Sequence, residues 1–359
     1  MDKRWDLMMQ LSEVRTSTDV DVRVIGVGGA GCSTLTRFAE ILDCAIPMLG
    51  IDTGSGTADL PSNVQSLPMG NGFGSGGDVE TAHSDFIAIQ SGVENFMFGA
   101  DVVIVLAGLG RGTGSGLAPV VAELAQSAGA LTIAAVNMPF EFEGRFRNQS
   151  AVSAHAILRE FADSVITFDN DDLSTLGSGT TSMNGAFQHA GQSIAQTVKA
   201  VATVLGGSAE RFEAVRSSLF ASGKTTAVAG ASTGLHAGRE AVIGAFAETV
   251  ENIHVANSAV LRIEGGIGLS LGQVAEAVAA LRERIGTGAV IHVASQRHAG
   301  LGQDINVAIV VAGIEGAAPK VMPTPTVTTF DQQHSVSSVS IFDTPAPHRT
   351  RGPELLPTG

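Results

Sequence analysis

Apolar positions in this chain fall into two alternating kinds of run. The short continuous ones are Val22-Arg23-Val24-Ile25-Gly26-Val27, Ala45 to Asp52, Ala100 to Ala107, Ala130 to Val136 and Ser164 to Phe168. They have the length and composition of strands buried on both faces. Between them, Ser33 to Leu42, Leu117 to Ala128 and residues from about 149 to 161 carry apolar residues at helical spacing. Such alternation predicts a parallel, Rossmann-like sheet covered on both faces. Met183 to Leu205 has unbroken helical spacing and reads as one long helix joining two halves. Beyond Gly206-Gly207 the pattern gives a helix near 209–220, strand Thr225 to Ala231, helix Arg239 to Val250 and strand Ala259 to Ile263. Helix Leu271 to Arg284 and strands Ala289 to Ala294 and Ile305 to Ala312 complete a smaller α/β region. From Ala317 onward Pro, Thr, Ser and Val recur without period, as in a disordered tail. The expected division is an arm over 1–20, an N-terminal α/β domain over 21–182, a connecting helix over 183–205, a C-terminal α/β domain over 206–316 and a tail over 317–359.

Composition narrows the function. The 359 residues carry 21 Lys+Arg against 35 Asp+Glu, a formal charge of −14, which disfavours nucleic acid as a partner. With 44% apolar residues there is enough material for cores in both domains. The cysteines number only 2, Cys32 and Cys44, and the start lacks a basic-then-apolar signal, so a cytoplasmic setting is expected. No apolar run reaches membrane-spanning length, so direct membrane insertion is not expected. Glycine stands out at 44 residues, without a collagen period, and therefore serves local purposes.

Those purposes are visible in three segments. Gly26-Val27-Gly28-Gly29-Ala30-Gly31 matches G-x-G-x-x-G between a strand and a helix, with Asp52 downstream. Alone, it predicts a nicotinamide or flavin dinucleotide site, and hence an oxidoreductase; a plain tight turn is the bland alternative. Gly110-Arg111-Gly112-Thr113-Gly114-Ser115-Gly116 follows a second strand, and Gly72-Phe73-Gly74-Ser75-Gly76-Gly77 is a third candidate. Several such loops imply a polyphosphate held from several sides, with Thr113 and Ser115 adding hydroxyls and helix N-termini favouring the anion. The run Ser218 to Thr225 approaches a P-loop, but Ser218 replaces the first glycine and the helix and strand come in the wrong order. Cys32 reads as a small packing residue, and the histidines show no metal spacing with the cysteines.

With Pro139-Phe140-Glu141-Phe142-Glu143-Gly144-Arg145 added, the two strand-terminal glycine motifs resemble, in order and spacing, the nucleotide loops of the tubulin/FtsZ superfamily, nearest to bacterial-type FtsZ. The resemblance covers about residues 20–316. It implies GTP or GDP, with Mg²⁺, held by Gly28, Gly29, Ala30, Gly31 and Gly74 and by Gly110, Arg111, Gly112, Thr113, Gly114, Ser115 and Gly116. It also implies that Glu143 contacts ribose, Arg147 approaches the nucleotide, Asn170 opens a further loop, and Phe187 stacks on the base with position 191 beside the base edge.

There are three departures. Arg111 replaces a glycine beside the phosphates; Gly191 replaces the Asn or Asp that reads guanine, with Gln188, His189 and Gln192 as nearby substitutes; and the acidic synergy loop is altered over 207–216. Aligned without a gap, its acidic positions fall on Arg211 and Ala214 and catalysis is lost; with a one-residue gap, Glu210 and Glu213 keep the i, i+3 spacing and serve as the catalytic acids. Both glutamates equally suit an ordinary solvated helix start. The resemblance implies a GTPase of cell division that assembles head-to-tail with itself, located in the cytoplasm at the division site. The alternative is a hydrolysis-deficient relative that co-assembles with a competent family member. The tail stretch Phe342 to Arg351 faintly resembles a peptide that recruits membrane tethers, although Pro347-His348 replaces its apolar pair.

Overall fold

A computed structural model of the chain describes residues 20–42, 46–171, 183–205, 216, 225–246, 253–297 and 299–314. The expected arm over 1–19, the helix near 209–220, Glu210, Glu213 and the tail lie outside the described residues.

Ten strands form one mixed sheet: β1 Val22–Val27, β2 Met48–Asp52, β3 Gln65–Pro68, β4 Val102–Gly108, β5 Leu131–Met138, β6 Ser164–Asp169, β7 Thr225–Thr233, β8 Ser258–Gly265, β9 Val290–Arg297 and β10 Asp304–Ala312. Their order is β3-β2-β1-β4-β5-β6-β7-β10-β8-β9. The first six run parallel, as the continuous apolar runs of β1, β2, β4, β5 and β6 predict. The C-terminal strands are not a separate sheet: β7 joins β6 in parallel through the pair Ile166 and Thr225. There the Ser164 hydroxyl donates to Thr225 Oγ1 at 2.9 Å. β10 then runs antiparallel to both β7 and β8, while β8 and β9 are parallel.

Eight helices are described: α1 Gly28–Ile41, α2 Val79–Phe86, α3 Gln90–Met97, α4 Gly112–Ser127, α5 Arg145–Phe161, α6 Met183–Leu205, α7 Ala237–Ala245 and α8 Leu271–Ile285. The long helix has the limits its spacing predicts. Strand β3 and helices α2 and α3 have no counterpart among the expected elements; β3 has a four-residue, mostly exposed edge pattern, and α2 and α3 span eight residues each, too short for periodicity to stand out. Three helices begin a full turn or more earlier than expected. α1 starts at Gly28 rather than Ser33, α4 at Gly112 rather than Leu117, and α5 at Arg145 rather than near Gln149. Glycine and arginine carry no apolar period, so these first turns are silent in the hydrophobic pattern.

Successive strand residues feed opposite faces. Ile25, Val27, Val103 and Val105 enter the core under α2 to α5, whereas Val22, Val24, Val102 and Ile104 enter the core shared with α1 and α6. A third core lies between α7, α8 and the C-terminal strands. The chain leaves β1 toward β2 on one side and returns at β4 on the other, so the sheet has a topological switch point between β1 and β4. In open α/β sheets that is where ligands bind, beyond the carboxyl ends of the strands.

Packing at the switch point is close enough to dictate residue type. A side chain on Gly31 would collide with the carbonyl oxygen of Leu106 and lie 3.1 Å from the carbonyl carbon of Gly26. Gly31→Ala is therefore expected to lower stability by about 1–3 kcal/mol, the usual cost of overpacking, read as a lower urea midpoint with an unchanged slope.

Candidate nucleotide site

Two glycine segments end adjacent strands and supply the first turns of the helices that follow. In a first turn the backbone N–H groups have no intrahelical acceptor and point outward with the positive end of the helix dipole. Gly28 has φ of 75°, and a Cβ there would sit 3.2 Å from the Gly114 nitrogen and 3.5 Å from Thr113 Cβ. The two first turns thus approach so closely that a methyl group on Gly28 would crowd Gly114. Gly114 in turn rests on the Gly108 carbonyl oxygen, where a Cβ would collide.

The third glycine segment closes on the same place. The Gly74 N–H donates to the Thr53 carbonyl at 3.0 Å, and Gly112 faces Ser75 and the backbone of Asp78 so closely that no Cβ fits. Gly72, Gly74, Gly76 and Gly77 all have positive φ and open space where a Cβ would be. Asp78 ends the segment as the N-cap of α2, accepting from the Thr81 N–H at 3.1 Å and its hydroxyl at 2.5 Å. The Thr81 hydroxyl first, then its N–H, holds the Asp78 carboxyl below the ordinary carboxylate range.

Hydroxyls brace the cradle. The Ser115 Oγ accepts from the buried Gly110 N–H at 2.7 Å, which leaves its own proton free to donate. Thr113 Oγ1 and Thr53 Oγ1 are 2.6 Å apart, so one donates to the other and one proton remains. Arg111 is the N-cap of α4, with extended backbone and an exposed side chain. Asp52, near Gly29, is committed within its own turn, accepting from the Gly56 N–H at 3.0 Å.

Glu143 and Arg147 are brought together: Arg147 Nη1 donates to Glu143 Oε2 at 2.6 Å, and Glu143 Oε1 accepts the Phe140 N–H at 3.1 Å. The Arg147 carbonyl oxygen lies 3.1 Å from where a Cβ of Gly110 would be, which sets this pair against the second glycine segment. Asn170 is buried, its Oδ1 accepting from Asn137 Nδ2 at 3.1 Å, and the Asn137 carbonyl accepts the Leu109 N–H at 2.9 Å. Phe187, half-exposed on α6, meets Phe140 edge-on at 5.4 Å between ring centroids, and Phe140 stacks on Phe142 at 4.8 Å. Gly191 is buried one turn further along α6, against Arg37 of α1. The side chain of His189 lies outside the described residues, whereas Gln188 is exposed and Gln192 half-buried.

Apart from Glu210 and Glu213, the candidate residues therefore lie in a connected set around the strand ends of the switch point. Sequence reasoning missed Thr53, Asn137, Asp78 and Arg37. The first two announce themselves only as polar residues at the ends of apolar strand runs, and Arg37 only as a polar position on α1. Cys32 is buried with Sγ 3.7 Å from the Ile51 carbonyl oxygen, and burial, then the Asp52 carboxylate, pushes its thiol up to about 12. Among the described residues no three His, Cys, Asp or Glu gather as a metal cluster, and no helix is long and apolar enough to cross a membrane.

A family model for the Tubulin/FtsZ family, GTPase domain, matches residues 61–178. Among solved structures, a mutant FtsZ from M. jannaschii is 25% identical, with a TM-score of 0.75 over 87% of this chain and 95% of that one. The empty FtsZ dimer of the same organism matches at 24% identity and TM-score 0.75, covering 90% of this chain and 98% of that one. CetZ2 from Haloferax volcanii, a GTPγS-bound protofilament, matches at 22% identity and TM-score 0.66, covering 84% and 95%. The fold is thus that of the tubulin-like GTPases, and the glycine segments lie at its switch point. Over residues 61–178 the chain is similar to the GTPase domain of the Tubulin/FtsZ family, and its fold over most of its length is that of FtsZ.

Two outcomes test the geometry directly. Ser115→Ala orphans the buried Gly110 N–H and is expected to cost about 1–3 kcal/mol in urea unfolding. Cys32 is expected to stay unmodified by iodoacetamide at pH 8 in the native protein and to react in urea, as read by mass spectrometry of its peptide.

Proposed function

We propose that the protein is an FtsZ-like cytoskeletal GTPase that binds GTP or GDP in this cradle and polymerises head-to-tail, in cell division. The observation that carries the reading is the close approach of the first turns of α1 and α4 at the switch point, where a Cβ on Gly28 would lie 3.2 Å from the Gly114 nitrogen, so that two helix N-termini lie side by side. The donor set fits a polyphosphate: backbone N–H groups from α1 and α4, the spare protons of Ser115 and of the Thr53–Thr113 pair, and the Arg111 guanidinium. Arg147, with Glu143 as its carboxylate partner, stands where the sugar of a phosphate-anchored nucleotide passes, and Phe187 offers a ring face for the base. Mg²⁺, when bound, neutralises phosphate charge and is held chiefly by the phosphates themselves.

Hydrolysis requires a positioned water and charge stabilisation on the γ-phosphoryl group. By the family resemblance both come partly from the next subunit, whose Glu210 and Glu213 complete the site. A head-to-tail contact is heterologous and propagates into filaments rather than closing. A dimer and a protofilament among the similar structures support self-association. Localisation at the division site and tethering through the tail belong to the same proposal.

A second reading has its own observation. The segment 207–216 lacks the family's asparagine and carries glutamates only at a shifted register, which favours a nucleotide-binding partner that co-assembles with a competent relative without hydrolysing. Phosphate release from GTP over a protein-concentration series separates the two. Activity rising with concentration, and lost in Glu210→Ala/Glu213→Ala, is the expected result. Release independent of concentration, or absent while GTP is bound, overturns the assembling-GTPase reading, and the absence favours the second.

A further inference from the structure

The ten-stranded sheet ends on one side in a strand that is not built like an edge. Short length, proline, lysine and bulges are the usual guards of an edge against pairing with another chain. The edge strand β3 has four residues and includes Pro68, which donates no N–H. The opposite edge, β9, has eight residues, pairs with β8 in unbroken register from Val290 to Arg297, and contains neither proline nor lysine. Among the described residues no strand pairs with its outer side. The margin beside β9 is apolar on the face that carries α8. Ile291 and Val293 share that face, because their β8 partners Ala259 and Leu261 lie in the third core. Val293 is 38% exposed, and Val274, Val278 and Ile291 are only partly buried at the rim of that core. Leu271, 85% exposed, continues the α8 stripe at i, i+3, i+7 spacing with Val274 and Val278.

We propose that this edge is an interface with a second copy of the chain, in which two β9 strands pair antiparallel about a twofold axis and join two sheets into one. The inference goes beyond the nucleotide reading and does not depend on it. Charge favours a second copy here and disfavours it elsewhere. The chain carries 35 Asp+Glu and a net charge of −14, so two copies repel unless they meet where carboxylates are absent. Residues 290–296 carry none. The two acids of α8, Glu276 and Glu283, pair with His236 and Arg239 on the α7 side, and Val274 and Val278 lie on the other side of the helix. Symmetry then limits the register. In an antiparallel ladder two opposed residues are of one kind, both bonded or both not, and the kinds alternate along each strand. A twofold axis between identical strands therefore sets one residue opposite itself, never opposite its chain neighbour. Val293 is the central residue that is apolar and exposed. With Val293 opposite its copy, Ile291 faces Ser295, Val290 faces Gln296 and His292 faces Ala294; no like charges are opposed, and Arg297 lies beyond the paired stretch. Pairing about that axis keeps both α8 helices on one side of the joined sheet, with their apolar stripes toward each other. The cradle at β4 is six strand spacings away, roughly 29 Å, and stays open.

The test is sedimentation velocity of the full chain over a concentration series, without nucleotide and with EDTA, on wild type and Val293→Lys, together with disulfide trapping of Val293→Cys and Val290→Cys. Wild type is expected to pass from monomer to dimer as concentration rises. Val293→Lys replaces the central apolar pair by two opposed ammonium groups and is expected to raise the midpoint concentration about tenfold. Opposed Cα atoms in an antiparallel pair lie about 4.5 or 5.5 Å apart, both within reach of a disulfide. Val293→Cys is therefore expected to give a dimer linked through position 293 under mild oxidation, identified by mass spectrometry of its peptide. Val290→Cys is more exposed but faces Gln296, and is expected not to link to itself. The cysteine variants give their own readout should the lysine variant not fold. The proposal is overturned if wild type stays monomeric over the series, if folded Val293→Lys dimerises as wild type does, or if Val290→Cys links as readily as Val293→Cys. Association by a head-to-tail contact alone leaves Val293→Lys indistinguishable from wild type, and so also counts against the proposal.

Discussion

Everything about the cradle depends on how closely two backbones approach at the β1/β4 switch point. A Cβ on Gly31 would collide with the Leu106 carbonyl, one on Gly114 with the Gly108 carbonyl, and one on Gly28 would crowd Gly114. Each contact is possible only without a Cβ. Their joint effect is to set two helix N-termini side by side. The interior residues of β1 and β4, Val24, Ile25, Val103 and Val105, are wholly buried and parallel-paired on both sides, so the platform beneath is rigid.

The electrostatic consequence is a site made of dipoles more than of charges. A protein of net charge −14 cannot attract a polyphosphate by its overall field. Nearby carboxylates are occupied locally: Asp52 by the Gly56 N–H, Asp78 by Thr81, Glu143 by Arg147 and Phe140. Their negative charge is thereby partly compensated within their own turns, and Arg111 is left to add a cation at the N-terminus of α4. Fixed N–H groups need no reorganisation when the anion arrives, which is the advantage of building the cradle from backbone.

That construction also explains what was legible in the sequence. Strands β1, β4 and β5 and helix α6 follow from apolar period alone, and the glycine segments stand out because glycine is used where nothing else fits. The continuity of the sheet through Ile166 and Thr225 was not legible, because one residue pair leaves no periodic trace. Neither were α2 and α3, eight residues each, nor the true starts of α1, α4 and α5, whose first turns carry glycine or arginine instead of an apolar stripe. At the site, Thr53 and Asn137 escaped because their role is to hold Thr113 and Asn170, contacts between residues far apart in the chain. Arg37 escaped for the same reason: it lies against Gly191, on another helix.

The two ends of the cradle are therefore under different constraints. At the end proposed for the phosphates, geometry is set by main-chain contacts, and a single added methyl group disturbs strand and helix together. At the end proposed for the base it is set by side chains: Phe187 is half-exposed, Phe140 meets it edge-on and stacks on Phe142, and Arg37 from another helix lies against Gly191. Those side chains can change without moving the sheet or the helix N-termini. The departure at Gly191 is thus compatible with close approaches that are intact at Gly28, Gly31, Gly108 and Gly114, because none of the described ones involves it.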